Sequence, residues 1–117
     1  MKYLKLTILA ALLLLGSFSV YGQKIGDGVV IAHFNAEWNS ANAVNWLGDL
    51  EECNVAKIDI VKYPKMQNKH KIVVVPTIIL FKDGEEIKRW QANVSFKIEE
   101  EVDEIQEHVD EQNLSDF

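Results

Sequence analysis

Asn39 and Asn42 stand three positions apart directly after Trp38, the spacing in this chain that most invites chemistry. Side chains three apart share one face of a helix and can act on one substrate. A carboxamide is neither a nucleophile nor a redox couple, so the pair predicts no catalysis of its own. Cys53 is the one cysteine. A single thiol closes no intrachain disulfide; it stays free or pairs with another chain, which leaves a linked homodimer open. His33, His70 and His108 are far apart and lack the Cys/His/Asp spacing of a metal site. No glycine-rich phosphate loop follows a strand, and no G-x-S-x-G is present. The carboxylates crowded between 99 and 111 read as a solvated helix face rather than acid–base pairs. No catalytic residue, metal or cofactor is therefore expected.

The elements around these residues follow from hydrophobic pattern. Residues 29–34 are an unbroken apolar run apart from His33, which predicts a strand buried on both faces. Asn39 or Ser40 suits a helix N-cap. Ala43, Val44, Leu47 and Leu50 then recur at helical spacing, although Gly48 weakens such a helix by roughly 1 kcal/mol relative to Ala. Asn54 ends it, and residues 55–61 form a second strand. The polar, basic stretch 63–71 is a short helix or turn. Pro76 has no N–H to give a sheet ladder, so the third strand starts at Thr77 and runs to Phe81. Asp83-Gly84 is a favoured hairpin pair, and 86–90 returns as an edge strand. Ser95 is expected to cap a last helix in which Ile98, Val102, Ile105 and Val109 are spaced by four, three and four, with fraying after Asp110. Parallel strands joined by a helix, then a hairpin and a terminal helix, make a layered α/β domain.

Two segments carry a resemblance. Phe34-Asn35-Ala36-Glu37-Trp38 follows the first strand, and Val75-Pro76-Thr77 opens a strand that ends at Lys82-Asp83-Gly84. In this order they resemble the thioredoxin family over residues 29–109. The resemblance implies a thioredoxin-like three-layer α/β/α sandwich with a mixed sheet of about four strands. The N-terminus is reduced, since residues 23–28 cannot supply the family's first strand and helix. Thioredoxins carry Cys-x-x-Cys directly after the Trp: a thiolate at a helix start attacks a disulfide and a second thiol resolves the mixed disulfide. Asn39 and Asn42 hold those positions here, so the resemblance implies the frame without the redox dithiol. The family often has a buried carboxylate at or beside His33, which serves proton transfer; as a residue alone, His33 reads as a core imidazole bonded to a backbone carbonyl. The Val-Pro bond is cis in that family. A cis Pro76 would turn the Val75 N–H and C=O outward beside Trp38, so Trp38, Val75, Pro76 and Thr77 are the expected peptide-binding residues, pairing with an extended peptide as an added strand. The expected function is a non-catalytic peptide- or protein-binding, chaperone-like module. The alternative is a thiol–disulfide oxidoreductase or isomerase-related protein acting through Cys53 or with a partner's thiol. Against that alternative, Cys53 lies about three turns beyond the expected helix start, where the helix dipole disfavours a thiolate.

The N-terminus reads as an export signal. Lys2 and Lys5 precede an uncharged apolar stretch, 6–15, of about ten residues, too short to cross a bilayer that needs roughly 20. Val20 and Gly22 fit the −3 and −1 positions before Gln23. Residues 1–22 are thus expected to be a signal peptide and 23–117 the thioredoxin-like domain, exported to the periplasm or beyond. That domain holds ten basic and eighteen acidic residues, a net charge of −8. All of the excess lies after residue 96, where nine acids face Lys97 alone. Nucleic acid and, once the signal is cleaved, an anionic membrane are excluded as partners, because phosphates need Lys and Arg to displace their counterions. A protein or extended peptide is the expected partner.

Overall fold

The structure, a computed structural model, describes residues 25–115; the expected signal peptide lies outside the described residues. Four strands, β1 (Val29–Asn35), β2 (Asn54–Asp59), β3 (Thr77–Lys82) and β4 (Glu85–Gln91), form one sheet in the order β2-β1-β3-β4. β1 and β2 are parallel, whereas β1–β3 and β3–β4 are antiparallel. β1 is central and buried along its whole length, as its non-alternating sequence requires. Successive residues leave opposite faces, and the two faces build two cores. Val30, Ala32, Phe34, Ile79 and Phe81 pack under the short helix α1 (Pro64–Lys69) with Met66 and Ile72. Ile31, Ile78, Leu80 and Trp90 pack against Ile105 and Val109 of the terminal helix α2 (Val102–Leu114). The result is the layered thioredoxin-like α/β fold expected from the sequence.

Several boundaries differ from expectation, each for a local reason. No α-helix spans 43–50. The chain makes two 3₁₀ pieces, Glu37–Asn42 and Leu47–Asp49, separated by an extended Ala43 at φ −59°, ψ 144°. Neither Asn39 nor Ser40 caps a helix by its side chain. Asn39, Ser40, Asn42 and Asn45 offer the backbone competing hydrogen bonds, Gly48 adds entropy, and Val44 and Trp46 lose rotamers in a helix. The periodic apolar residues are still used: Leu47 is buried, and Val44 and Leu50 pack on the second core. Their spacing reported burial, not helix.

α2 starts at Val102 rather than near Ser95 and runs on to Leu114 instead of fraying after Asp110. The Asn93 side chain takes the capping work upstream: its Oδ1 accepts from the N–H groups of Ser95 and Lys97, and Phe96 sits at φ 61°. This folds 92–101 into a loop. β2 stops at Asp59 because its Oδ1 accepts from the N–H of Val61 and of Lys62 and turns the chain. The lead into β1 is pinned. Ile25 packs on the first core, and Gly28 exchanges hydrogen bonds with Asp83, N–H to Oδ1 at 2.7 Å and O from N–H at 2.9 Å. Asp83 and Gly84 both take positive φ, 50° and 85°, the turn that matches strand twist in a two-residue hairpin.

Candidate functional site

The end of β1 and the start of β3 bring the sequence-predicted residues to one place. After Asn35 the chain extends through Ala36 and turns into the 3₁₀ piece, with Asn39 N–H donating to the Ala36 carbonyl at 2.8 Å. Asn39 is buried, and its carboxamide is fully engaged. Its Nδ2 donates to Asn35 Oδ1 at 3.1 Å and to the Val75 carbonyl at 3.3 Å. Its Oδ1 accepts from Asn42 Nδ2 at 2.9 Å. Asn35 Nδ2 closes the ring of bonds by donating to the Asn39 carbonyl at 3.2 Å. Asn39 and Asn42 are thus adjacent in space and lie against the bend at Pro76, whose peptide bond with Val75 is cis.

The same network corrects one expectation. The Val75 carbonyl does not point free into solvent, since Asn39 holds it. The Val75 N–H makes no hydrogen bond among the described residues. Val75, Pro76 and Thr77 are all buried, so their side chains offer no surface to a partner. Thr77 Oγ1 donates to the Val74 carbonyl at 2.7 Å and fixes the bend. The Pro76 carbonyl accepts from Ala92 N–H at 3.0 Å, which draws the 92–101 loop alongside. From that loop Phe96 meets Trp38 edge-on, with ring centroids 6.0 Å apart. Trp38 is 67 % exposed and Phe96 46 %, with Val94 and Val74 also exposed. Asn35, Phe96 and Val94 were not singled out by sequence. Phe96 had one signal: an aromatic residue off the helical period in a polar stretch.

The remaining reactive side chains lie elsewhere. His33 is 5 % exposed, and its Nε2 accepts from the Val44 N–H at 3.2 Å, not a bond to a carbonyl as expected. Burial first, and the Lys57 ammonium second, push its pKa down to about 4. The ring is therefore neutral with its proton on Nδ1. His70 stands between the rings of Phe34 and Phe81, at 5.6 and 5.2 Å, and burial lowers its pKa too. His108 packs against Trp90 on α2. Cys53 is half-buried against the second core, and burial, then Asp110, push its thiol up to about 11. A thiol so placed stays protonated and is a poor nucleophile. Among the described residues no three His, Cys, Asp or Glu side chains gather as a metal centre.

The family model for thioredoxin matches residues 21–111. The chain belongs to the thioredoxin family. It is similar to a thioredoxin of Staphylococcus epidermidis, 30% identical over 94 residues that cover 74% of this chain and 88% of that one. It is 29% identical over 75 residues to a thioredoxin of Chlamydia trachomatis, covering 59% of this chain and 74% of the relative. To thioredoxin Y1 of Arabidopsis thaliana chloroplasts it is 47% identical over 47 residues, a match that spans 40% of this chain and only 27% of that longer protein. Among solved structures it is similar to a point-mutant thioredoxin of Halobacterium salinarum, with a TM-score of 0.57, 25% identity and coverage of 74% and 75% of the two chains. The thioredoxin of Fasciola hepatica shares the fold, with a TM-score of 0.54 at 24% identity over 74% of this chain and 83% of that one. This thioredoxin-family chain has one cysteine and so holds no Cys-x-x-Cys pair.

Proposed function

We propose that this chain is an exported thioredoxin-family protein that binds an extended peptide or protein segment without exchanging disulfides. Asn39 and Asn42 stand in the places of the two reactive cysteines, and their amides are spent on holding the bend at Val75-Pro76. The observation that carries the reading is the exposed Trp38–Phe96 pair beside an unpaired Val75 N–H. Exposed aromatic rings give binding surface with few rotamers to order, and a free backbone N–H gives an extended strand one point of registry. The peptide would lay its backbone along Val75, Pro76 and Thr77, with an apolar side chain on Trp38. Its second backbone bond requires Asn39 to release the Val75 carbonyl, so the site favours a segment held mainly by its side chains. The expected partner is a protein of the periplasm or extracellular space. Nothing in the setting of Cys53 supports a redox role: the thiol is packed against the second core beside Asp110.

The test is capture of partners from cell-envelope extract. Wild-type protein retains a defined set of proteins, and Trp38→Ala loses them while Cys53→Ser keeps them. Equal capture by wild type and Trp38→Ala contradicts the proposed face.

A further inference from the structure

His33, Asn35, Lys57 and Asp59 leave the same face of the sheet. β1 and β2 run parallel with His33 opposite Lys57 and Asn35 opposite Asp59, and residues two apart on a strand share a face. This end of that face lies beside the chain from Glu37 to Asp49, which forms two short 3₁₀ pieces instead of a covering helix. A cleft of about 330 Å³ stays open there, walled by the strand ends and by Ser40 and Ala43. Crevices outside the carboxyl ends of parallel strands are where α/β folds hold ligands. The volume lies at the lower end of the roughly 300–1,000 Å³ of small-molecule sites.

Three of the cleft's donors, on His33, Lys57 and Lys62, have no protein acceptor among the described residues. His33 Nε2 is occupied by the Val44 N–H, so the ring's proton sits on Nδ1, and no group among the described residues accepts it. His33 is 5 % exposed as a residue and lines the cleft. Lys57 and Lys62 line the same cleft, and neither ammonium has an ion-pair partner among the described residues. Two carboxylates, Glu37 and Asp59, complete the charged lining, and Asn35 and Ser40 add neutral polar groups. The lining therefore carries both signs of charge in equal number.

The geometry points to a binding site for a small free α-amino acid. Its carboxylate would be received by the His33 Nδ1–H and the Lys57 ammonium, and its ammonium by Glu37 and Asp59. A zwitterion pairs with both signs of the lining, whereas a dianion such as phosphate meets the two carboxylates and a simple carboxylate leaves them unused. Charge-assisted hydrogen bonds of this kind fix both position and preference.

The test is a titration of ¹⁵N-labelled protein at neutral pH with glycine, acetate and inorganic phosphate, read by NMR. Glycine is expected to give saturable shifts at the His33 ring and at the amides of Ser40 and residues 57–59, with acetate and phosphate weaker. Lys57 is exposed on an edge strand, so Lys57→Gln should fold; it is expected to weaken glycine binding by roughly tenfold or more. Trp38→Ala leaves glycine binding unchanged, which separates this site from the proposed peptide face. No saturable shift with glycine, a glycine affinity unaltered by Lys57→Gln, or acetate or phosphate binding as tightly as glycine would each overturn the assignment.

Discussion

Burying an imidazole ties folding to proton uptake. In the unfolded chain His33 takes up a proton near pH 6.5, whereas in the fold it refuses one until about pH 4. The stability that neutral His33 allows is complete above pH 6.5 and is lost as pH falls from there toward 4, by roughly 3 kcal/mol. His70, lowered by burial as well, acts in the same direction. Urea unfolding followed across this window is expected to show the loss, with a shallower pH slope in His33→Gln; an equal slope in both proteins contradicts the burial account. At this scale the site was partly legible. Trp38, Asn39, Asn42 and Pro76 stood out because fixed short spacings carry them. Asn35 and Phe96 did not: Asn35 matters because the chain turns back at Ala36 to bring it against Asn39, and Phe96 because a loop far along the chain carries it to Trp38. The partner of the Val75 carbonyl was hidden for the same reason, because sequence spacing does not say which side chain will turn inward.

Strands were more legible than helices. β1, β3 and the Asp83-Gly84 hairpin follow from apolar runs, a proline that must stand outside the ladder and a dipeptide suited to its turn. The 37–50 stretch misled because an apolar period of three to four marks which side chains are buried, while helix also needs a backbone free of competing polar side chains. The late start of α2 has the same origin in Asn93. Edge strand β4 is tied down by Arg89, which pairs with Glu86 and also donates to the carbonyls of His70 and Lys71, at 2.8 and 3.2 Å. The ion pair is partly exposed and adds little; the bonds to the 70–71 turn are what join α1's exit to the sheet. Arg89→Met is expected to cost roughly 1–2 kcal/mol, measured by urea unfolding, and to speed amide hydrogen exchange at residues 70–72. Unchanged stability and exchange would show that turn to be held by other contacts.

At the scale of the whole molecule, two cores pack on the two faces of one four-stranded sheet, and the candidate site lies at one end of it. There the cis Val75-Pro76 bend, the asparagine network and the open Trp38–Phe96 face adjoin each other. The fold class was readable from element order, because few topologies satisfy a parallel pair followed by a hairpin and a helix. At the site, what the sequence showed was the lack of a Cys-x-x-Cys pair. The proposal that unites these features is a thioredoxin scaffold used without disulfide exchange. The most direct measurement is turnover of a mixed-disulfide protein substrate in the presence of a small-molecule dithiol. Wild type and Cys53→Ser are expected to remain at the background rate, while the double variant Asn39→Cys with Asn42→Cys gains measurable exchange, since those side chains already touch at 2.9 Å. Turnover by the wild type that disappears in Cys53→Ser would contradict the claim.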